Sequence, residues 1–522
     1  MSAADAAAPF PGAIDARRPA ATSRLLLTVS VMASTVMQAL DTTIANVALP
    51  HMQGQLGATS DEISWVLTSY LVSAAIMMPL TGYFSDRFGR RRYLSISIAG
   101  FVVASMLCGL ARNLPEIVMF RLLQGAFGAA LVPLAQAIMA DAYPPEERGH
   151  AMSIWSMGVM VGPIIGPSLG GWLTDALSWR WAFFINLPVG IASLLMVMRF
   201  CPDTPLRERK MDWTGLGLLS VAIAGTQMVL DRGNGDDWFA STFISVTAVV
   251  AAAAFIAFLF YALTTSRKPV FDITVFKDRN FLASGVVTSI MGLSLFGATF
   301  IQPVLLEKLL NYPIATAGLV MVPRGVATML SMRSTGKLIG RVDTRILVAI
   351  GITSCAAGSF AMSNYDLNID TWTAIWPTLL QGFGLGFIYV PLASLQLATL
   401  RHDQIADGAG LASLLRTMGQ AIGISITATL LSRFGQNEWN QLGGHLNPYN
   451  PALSVWLHAH GVSPGSTMAA PLLAAELGRQ AEMLAVLNVL KFIAWSCLAM
   501  LLCVPLVKSV GTEKYDPALG VD

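Results

Sequence analysis

Long apolar stretches follow one another along most of the chain, each separated from the next by a polar turn. A helix that crosses a bilayer needs about 20 mostly apolar residues. Fourteen segments approach or exceed that length: 25–49, 63–83, 93–111, 115–140, 150–174, 181–199, 213–230, 239–263, 280–305, 314–332, 345–362, 371–398, 406–432 and 486–507. The pattern predicts an all-α polytopic membrane protein of fourteen spans. One sizeable segment outside the spans remains, 433–485, whose later part "AAPLLAAELGRQAEMLAVL" (469–487) predicts an amphipathic helix leading into the last span.

Of the 522 residues, 54% are hydrophobic and 12% charged, against about 25% charged in a soluble domain. The net charge of +2 gives no reason to expect a nucleic-acid partner. With the first span running outward, 23 of the 33 Lys and Arg fall in the tails and inner turns, 6 in outer turns and 4 within spans. Positive charge accumulates on the cytoplasmic side, so both termini, 1–24 and 509–522, are expected there as tails. The five cysteines stand singly, without metal-ligand spacing.

An internal repeat organises the spans. "LLQGAFGAALVPLA" (122–135) returns as "LLQGFGLGFIYVPLA" (379–393), and "MGVMVG" (157–162) as "MGQAIG" (418–423), at nearly the same offset. Gly82 and Arg87 of "GYFSDR" return as Gly336 and Arg341 of "GKLIGR". Spans 2, 4 and 5 therefore correspond to spans 10, 12 and 13. Two six-helix bundles, 25–200 and 280–508, are expected, with 201–279 as an inserted two-helix linker. Halves related in this way are how alternating-access carriers are built.

Two motifs sit where moving parts would be. "GYFSDRFGRRR" (82–92) fills the turn after span 2: Gly82 and Gly89 permit close approach, Asp86 can pair with an arginine or sit at a helix N-terminus, and Arg87 and Arg90 face the cytoplasm. It serves either as a topology anchor or as a gate latch. In span 5, Gly158, Gly162, Gly166 and Gly170 recur every four residues beside Pro163 and Pro167. Such a bare face lets helices touch closely, as static packing or, at the interface between the two halves, as a seal or pivot during rocking.

Together with "LDTTIANVALP" (40–50), "RLLQGAFGAALVP" (121–133), "WRWAFFINLPVG" (179–190) and "LDRGNGDDWF" (230–239), these stretches resemble the major facilitator superfamily, in particular its fourteen-span drug:proton antiporters of the EmrB/QacA type. The resemblance runs from about residue 25 to 508. It implies a major facilitator fold, a bacterial inner-membrane location and export of small amphipathic compounds in exchange for protons, with no cofactor beyond the proton gradient. It also implies a periplasmic adaptor protein and an outer-membrane channel as partners. Asp86 and Arg90 match the gate motif, Arg121 the charged member of the span 4 motif, and the glycines and Pro163 of span 5 the antiporter motif. The second-half copy of the gate has Gly340 in place of Asp86, which speaks against a symmetric latch.

Buried charge singles out one pair. Asp41 is the only acidic residue more than about one turn inside a span. At 1.5 Å per residue it lies about 24 Å along span 1, and Arg121 lies about 9 Å in from the outer end of span 4. Both are in the outer half. If they meet, Arg121 holds Asp41 ionised while desolvation opposes it, a balance that suits a proton site; the alternative is a permanent ion pair that fixes helix register. Thr378 matches Arg121 in the second half, which confines such a site to the first. Arg324 and Arg416 lie near mid-depth without an acidic partner: they face a wet cavity, receive an anionic substrate, or bond helix carbonyls. Gln38, Asn46, Gln124, Phe296, Phe300, Gln381 and Tyr389 complete the candidate substrate lining. No nucleotide loop or nucleophile–base arrangement points to an ATP-driven pump or an enzyme. A dedicated exporter of one metabolite or siderophore, and a non-transporting receptor or scaffold, remain as alternatives.

Overall fold

A computed structural model describes residues 21–144, 147–206, 211–265, 271–401, 403–446, 450–463 and 466–506. The expected tails lie outside the described residues, apart from 21–24. Fourteen long helices follow in order: α1 (Ala21–Leu56), α2 (Trp65–Phe88), α3 (Arg90–Leu110), α4 (Leu114–Ala142), α5 (Arg148–Ala176), α6 (Trp181–Phe200), α7 (Trp213–Arg232), α8 (Thr242–Thr264), α9 (Arg279–Leu309), α10 (Ile314–Leu338), α11 (Thr344–Met362), α12 (Thr371–Ala398), α13 (Ile405–Gly443) and α14 (Ala469–Leu506). Thirteen of these are both long and apolar enough to cross a membrane. Helix α10 has the length at 25 residues, and its stretch 314–331 carries a single charge, Arg324. A helix satisfies its own backbone hydrogen bonds, which hydrocarbon cannot do for it. Large apolar side chains such as Val249, Ile256, Phe260 and Leu263 of α8 stand exposed on the outside, as a lipid-facing surface requires.

The repeat reappears as packing. In the first half α1 packs on α5 and α6, and α4 on α2 and α3; in the second, α9 packs on α13 and α14, and α12 on α10 and α11. The repeated "LLQG" explains one such contact in each half. A Cβ on Gly125 would lie 2.4 Å from the Tyr70 carbonyl oxygen of α2, and one on Gly382 would lie 2.2 Å from the Arg324 carbonyl oxygen of α10. Only a glycine lets the two backbones come that near. In both halves, then, the same glycine seats the fourth helix against the second.

The halves meet along α5–α10 and where α13 crosses the lower part of α2 and α4. The end bearing the α2–α3 turn is termed inner here. There the halves close over one another: Gly82 abuts Asp407, Gly410 abuts the Met78 carbonyl, Gly149 abuts Ile339, and the Gln136 amide donates to the Ala393 carbonyl at 3.5 Å. The inserted helices α7 and α8 pack on each other, and α7 lies against α2 and α13.

At the outer end the segment 433–485 is largely helical. Helix α13 runs 39 residues, about 58 Å, well past the roughly 30 Å hydrocarbon layer. The amphipathic helix expected over 469–487 is continuous with the last span as α14, and a short helix, Pro451–Ala459, lies between. Lys308 pairs with Glu482 at 2.5 Å, and Arg479 donates to the Leu309 carbonyl, which straps the start of α14 to the end of α9.

Candidate functional site

Arg121 and Gln124 are three residues apart on α4, so both project from one face, and that face meets Asp41 of α1. Asp41 Oδ2 accepts from Arg121 Nη1 at 2.8 Å, and Oδ1 accepts from Gln124 Nε2 at 2.8 Å and Asn186 Nδ2 at 2.7 Å. Asp41, Arg121 and Gln124 are fully buried. Arg121 also donates to the Val66 carbonyl at 3.0 Å and to Gln124 Oε1 at 2.7 Å, and its guanidinium lies 4.3 Å from the centre of the Tyr70 ring. Gln38 donates to the Tyr70 hydroxyl at 2.9 Å, and Asn186 donates a second bond to Ser105 at 2.9 Å.

Helices α1, α2, α3, α4 and α6 thus all contribute to one polar knot inside apolar packing. Desolvating two charges costs several kcal/mol per ion and is offset only when the remaining lone pairs and protons are bonded. Here three donors serve the carboxylate. Asn186→Ala should therefore destabilise the fold by about 1–3 kcal/mol, read as a lowered thermal unfolding midpoint of the purified protein; an unchanged midpoint would show that Asn186 is not part of the support. Asn186, Tyr70 and Ser105 were not singled out from the sequence, although Asn186 stands inside the quoted stretch "WRWAFFINLPVG".

The glycine face of α5 does not seal the two halves. It packs on α1, within the first half: a Cβ on Gly158 would meet Met32, one on Gly162 the Ala39 carbonyl oxygen at 2.2 Å, one on Gly166 the Thr43 hydroxyl at 2.0 Å, and one on Gly170 Ile44. The Thr43 hydroxyl donates to the Gly162 carbonyl at 3.1 Å. A different edge of α5, with Pro163, Ile164, Pro167 and Ser168, faces α10 across the seam between halves, where a Cβ on Gly325 would lie 2.3 Å from Ile164. Periodicity identified the bare face; it carries no information on which neighbour fills it.

In the gate motif, Gly89 has φ +79°, a left-handed conformation that favours glycine, and it lets the chain reverse between α2 and α3. Arg90 forms an ion pair with Asp141 of α4, and its backbone N–H bonds Thr204 at 2.9 Å. Asp86 lies in the last turn of the Thr81–Phe88 segment, not at a helix N-terminus, and Arg87 is exposed. The cross-half contact belongs to Gly82, whose Cβ would overlap the Asp407 carboxylate. Asp407, buried at the start of α13, accepts from the Asp272 backbone N–H at 3.1 Å. The Asp272 carboxyl itself, part-buried but bonded by Gln404 and Thr274, is held below the usual carboxylate range.

The candidate substrate residues do not converge on one cavity. Gln38 and Gln124 belong to the Asp41 knot, Asn46 is exposed, and the Phe296 side chain lies outside the described residues. Phe300 lines an outer cavity of about 660 Å³ together with Gln436, Trp439 and Glu482. Gln381 donates to Ser359 at 3.2 Å. Arg416 donates to the Tyr389 hydroxyl at 2.7 Å, and its guanidinium lies 5.6 Å from the centre of the ring of Trp155, which stacks on Tyr389 from the other half. Arg324 donates to Gln302 at 2.9 Å and lines a cavity of about 50 Å³ in the α5–α10 seam. Among the described residues, neither Arg324 nor Arg416 caps a helix carbonyl with its side chain. Polarity selected these positions, but rotation about each helix axis decides where they point.

A bundle of long apolar helices in two similarly packed halves, with buried polar groups between helices, is the build of a membrane transporter. The family model described as the Major Facilitator Superfamily matches residues 31–424, and the chain belongs to that superfamily. It is 35% identical over 447 residues to the fatty acid resistance protein FarB of Neisseria gonorrhoeae, a match covering 85% of this chain and 88% of that one. It is 36% identical over 437 residues to the multidrug export protein EmrB of Haemophilus influenzae, covering 83% and 86%. Among solved structures, the human organic anion transporter MFSD10 (TETRAN) aligns over 91% of this chain and 99% of its own with a TM-score of 0.59 at 15% identity, which speaks for the fold alone.

Proposed function

We propose that this protein exports amphipathic compounds, drugs among them, across the bacterial inner membrane in exchange for protons, with both termini cytoplasmic. The bundles 25–200 and 280–508 rock about the α5–α10 and α2–α13 contacts, with 201–279 as the linker. The observation that carries this reading is the buried Asp41–Arg121 pair, a carboxylate and a guanidinium 2.8 Å apart and both shut off from solvent inside the first bundle. A proton on Asp41 removes the charge that Arg121 neutralises. Arg121 then lacks a counter-charge and is left with the Val66 carbonyl, Gln124 and the Tyr70 ring, a costlier arrangement that favours movement. The pair can then loosen, and α1 can shift along the glycine face of α5, which hands the motion to α10. The relatives, a multidrug export protein and a fatty acid resistance protein, support an efflux role. Wild-type protein in liposomes with an imposed pH gradient should accumulate a fluorescent amphipathic drug and dissipate the gradient as it does so; drug movement with no proton movement would refute the exchange.

The outer extension of α13, the helix Pro451–Ala459 and the start of α14 support docking of a periplasmic adaptor leading to an outer-membrane channel. Replacing 445–467 with a short Gly/Ser linker should lower whole-cell resistance while leaving transport in liposomes intact. Equal loss in both assays would argue against a docking role.

A further inference from the structure

The three deep arginines of the spans are held differently. Arg121 is neutralised by Asp41. Arg416 is bonded by the Tyr389 hydroxyl and approached by two aromatic rings. Arg324 is buried at 7% exposure, and among the described residues its Nη1 bonds the Gln302 side chain while its Nη2 has no hydrogen-bond acceptor and no carboxylate lies in ion-pair range. A guanidinium cannot shed its proton under ordinary conditions, and an uncompensated buried charge is costly. The protein maintains that cost in a cavity, not in close packing: Arg324 lines the roughly 50 Å³ space in the seam, walled by Pro163, Ile164 and Pro167 of α5 and by Thr328 of α10.

The geometry points to an anion-binding site: we propose that Arg324, held by Gln302, takes the acidic head of an amphipathic anion such as a carboxylate, with the apolar tail laid along the proline edge of α5. The planar guanidinium matches a carboxylate by paired N–H···O bonds, and Nη2 is the donor still to be used. The present volume is of the order of one or two water molecules, enough for a head group while the seam is closed; the tail enters as α5 and α10 separate. At Gly318 an added Cβ would come no nearer than 3.4 Å to Ser168, which keeps the α10 wall low there, whereas Gly325 is packed by Ile164 of α5 and opens only as the seam separates. The Arg324 backbone is fixed independently by the close approach of Gly382 to its carbonyl, so the guanidinium is presented from a rigid stem. This inference deepens the export reading and rests on it for the direction in which cargo moves, while binding itself can be measured without transport.

The test is equilibrium binding of radiolabelled octanoate to the full-length protein in lipid nanodiscs, with octylammonium and octanol as competitors. Wild type should bind octanoate saturably, and octylammonium should compete at least tenfold less well than unlabelled octanoate. Arg324→Gln should weaken octanoate binding about 30-fold or more, Arg324→Lys should restore part of it, and Gly171→Ala, whose added Cβ meets nothing within 4 Å, should leave it within about threefold of wild type. The wild-type selectivity needs no variant, so a misfolded Arg324→Gln does not shelter the idea. Equal competition by octanoate and octylammonium in wild type, or full-strength octanoate binding by a folded Arg324→Gln protein, overturns it. Failure of proton exchange with octanoate binding intact would instead refute the antiport reading and leave this site standing.

Discussion

Asp41→Asn is expected to reduce pH-gradient-driven drug accumulation to the level of protein-free liposomes while the protein still binds drug. A unit of pH difference supplies about 1.4 kcal/mol per proton, and an asparagine cannot take that proton up. The substitution also leaves Arg121 buried without its counter-charge, a loss of about 3–5 kcal/mol, so the unfolding midpoint should fall. Pairing it with Arg121→Gln removes the stranded cation, and the double variant should regain most of the stability and none of the transport. A permanent structural ion pair predicts the opposite coupling of the two readouts: transport would return with stability. Gradient-driven export by either variant at wild-type rate would end the proton-site proposal.

Gly162→Leu should abolish transport through a different route. The ideal Cβ at this position lies 2.2 Å from the Ala39 carbonyl oxygen and 2.4 Å from its carbon, both backbone atoms, so no rotamer change relieves the overlap. Helix α1 has to move away from α5, and Asp41 is only two residues beyond Ala39. Overpacking of this kind costs about 1–3 kcal/mol, enough to reset the Asp41–Arg121 geometry without unfolding a protein of this size. Gly171→Ala, whose added Cβ meets nothing within 4 Å, is the control and should transport normally. Normal export by Gly162→Leu would show that the α1–α5 contact does not take part in the cycle.

The lengths of the apolar stretches located the helices well, because a bilayer imposes a single thickness on every span. Helix α10 keeps that length with Arg324 inside the span and with Arg333 and Lys337 gathered at its inner end. Depth arithmetic set Asp41 and Arg121 at similar height, and the structure has them 2.8 Å apart. Their supporting groups were harder to see. Asn186 sits at the start of a helical segment, where an asparagine usually caps a turn, and Tyr70 is one tyrosine among apolar neighbours. Gly82 read as a packing residue, but its partner Asp407 lies more than 300 residues away, a distance along the chain that no local pattern reports. The candidate substrate residues fared worst, since a polar side chain on a span faces the site, a neighbouring helix or lipid according to an azimuth that a weakly amphipathic helix does not encode.

The bare charge on Arg324 bears on how the cell powers this carrier. If an anion leaves while a proton enters, two elementary charges cross the membrane in the same electrical sense. Each is worth about 2.3 kcal/mol per 100 mV, so the voltage alone supplies about 4.6 kcal/mol per cycle at that potential. Export would then persist in cells whose internal and external pH are equal, and it would itself draw down the membrane voltage, charging the host for detoxification in current as well as in acidity.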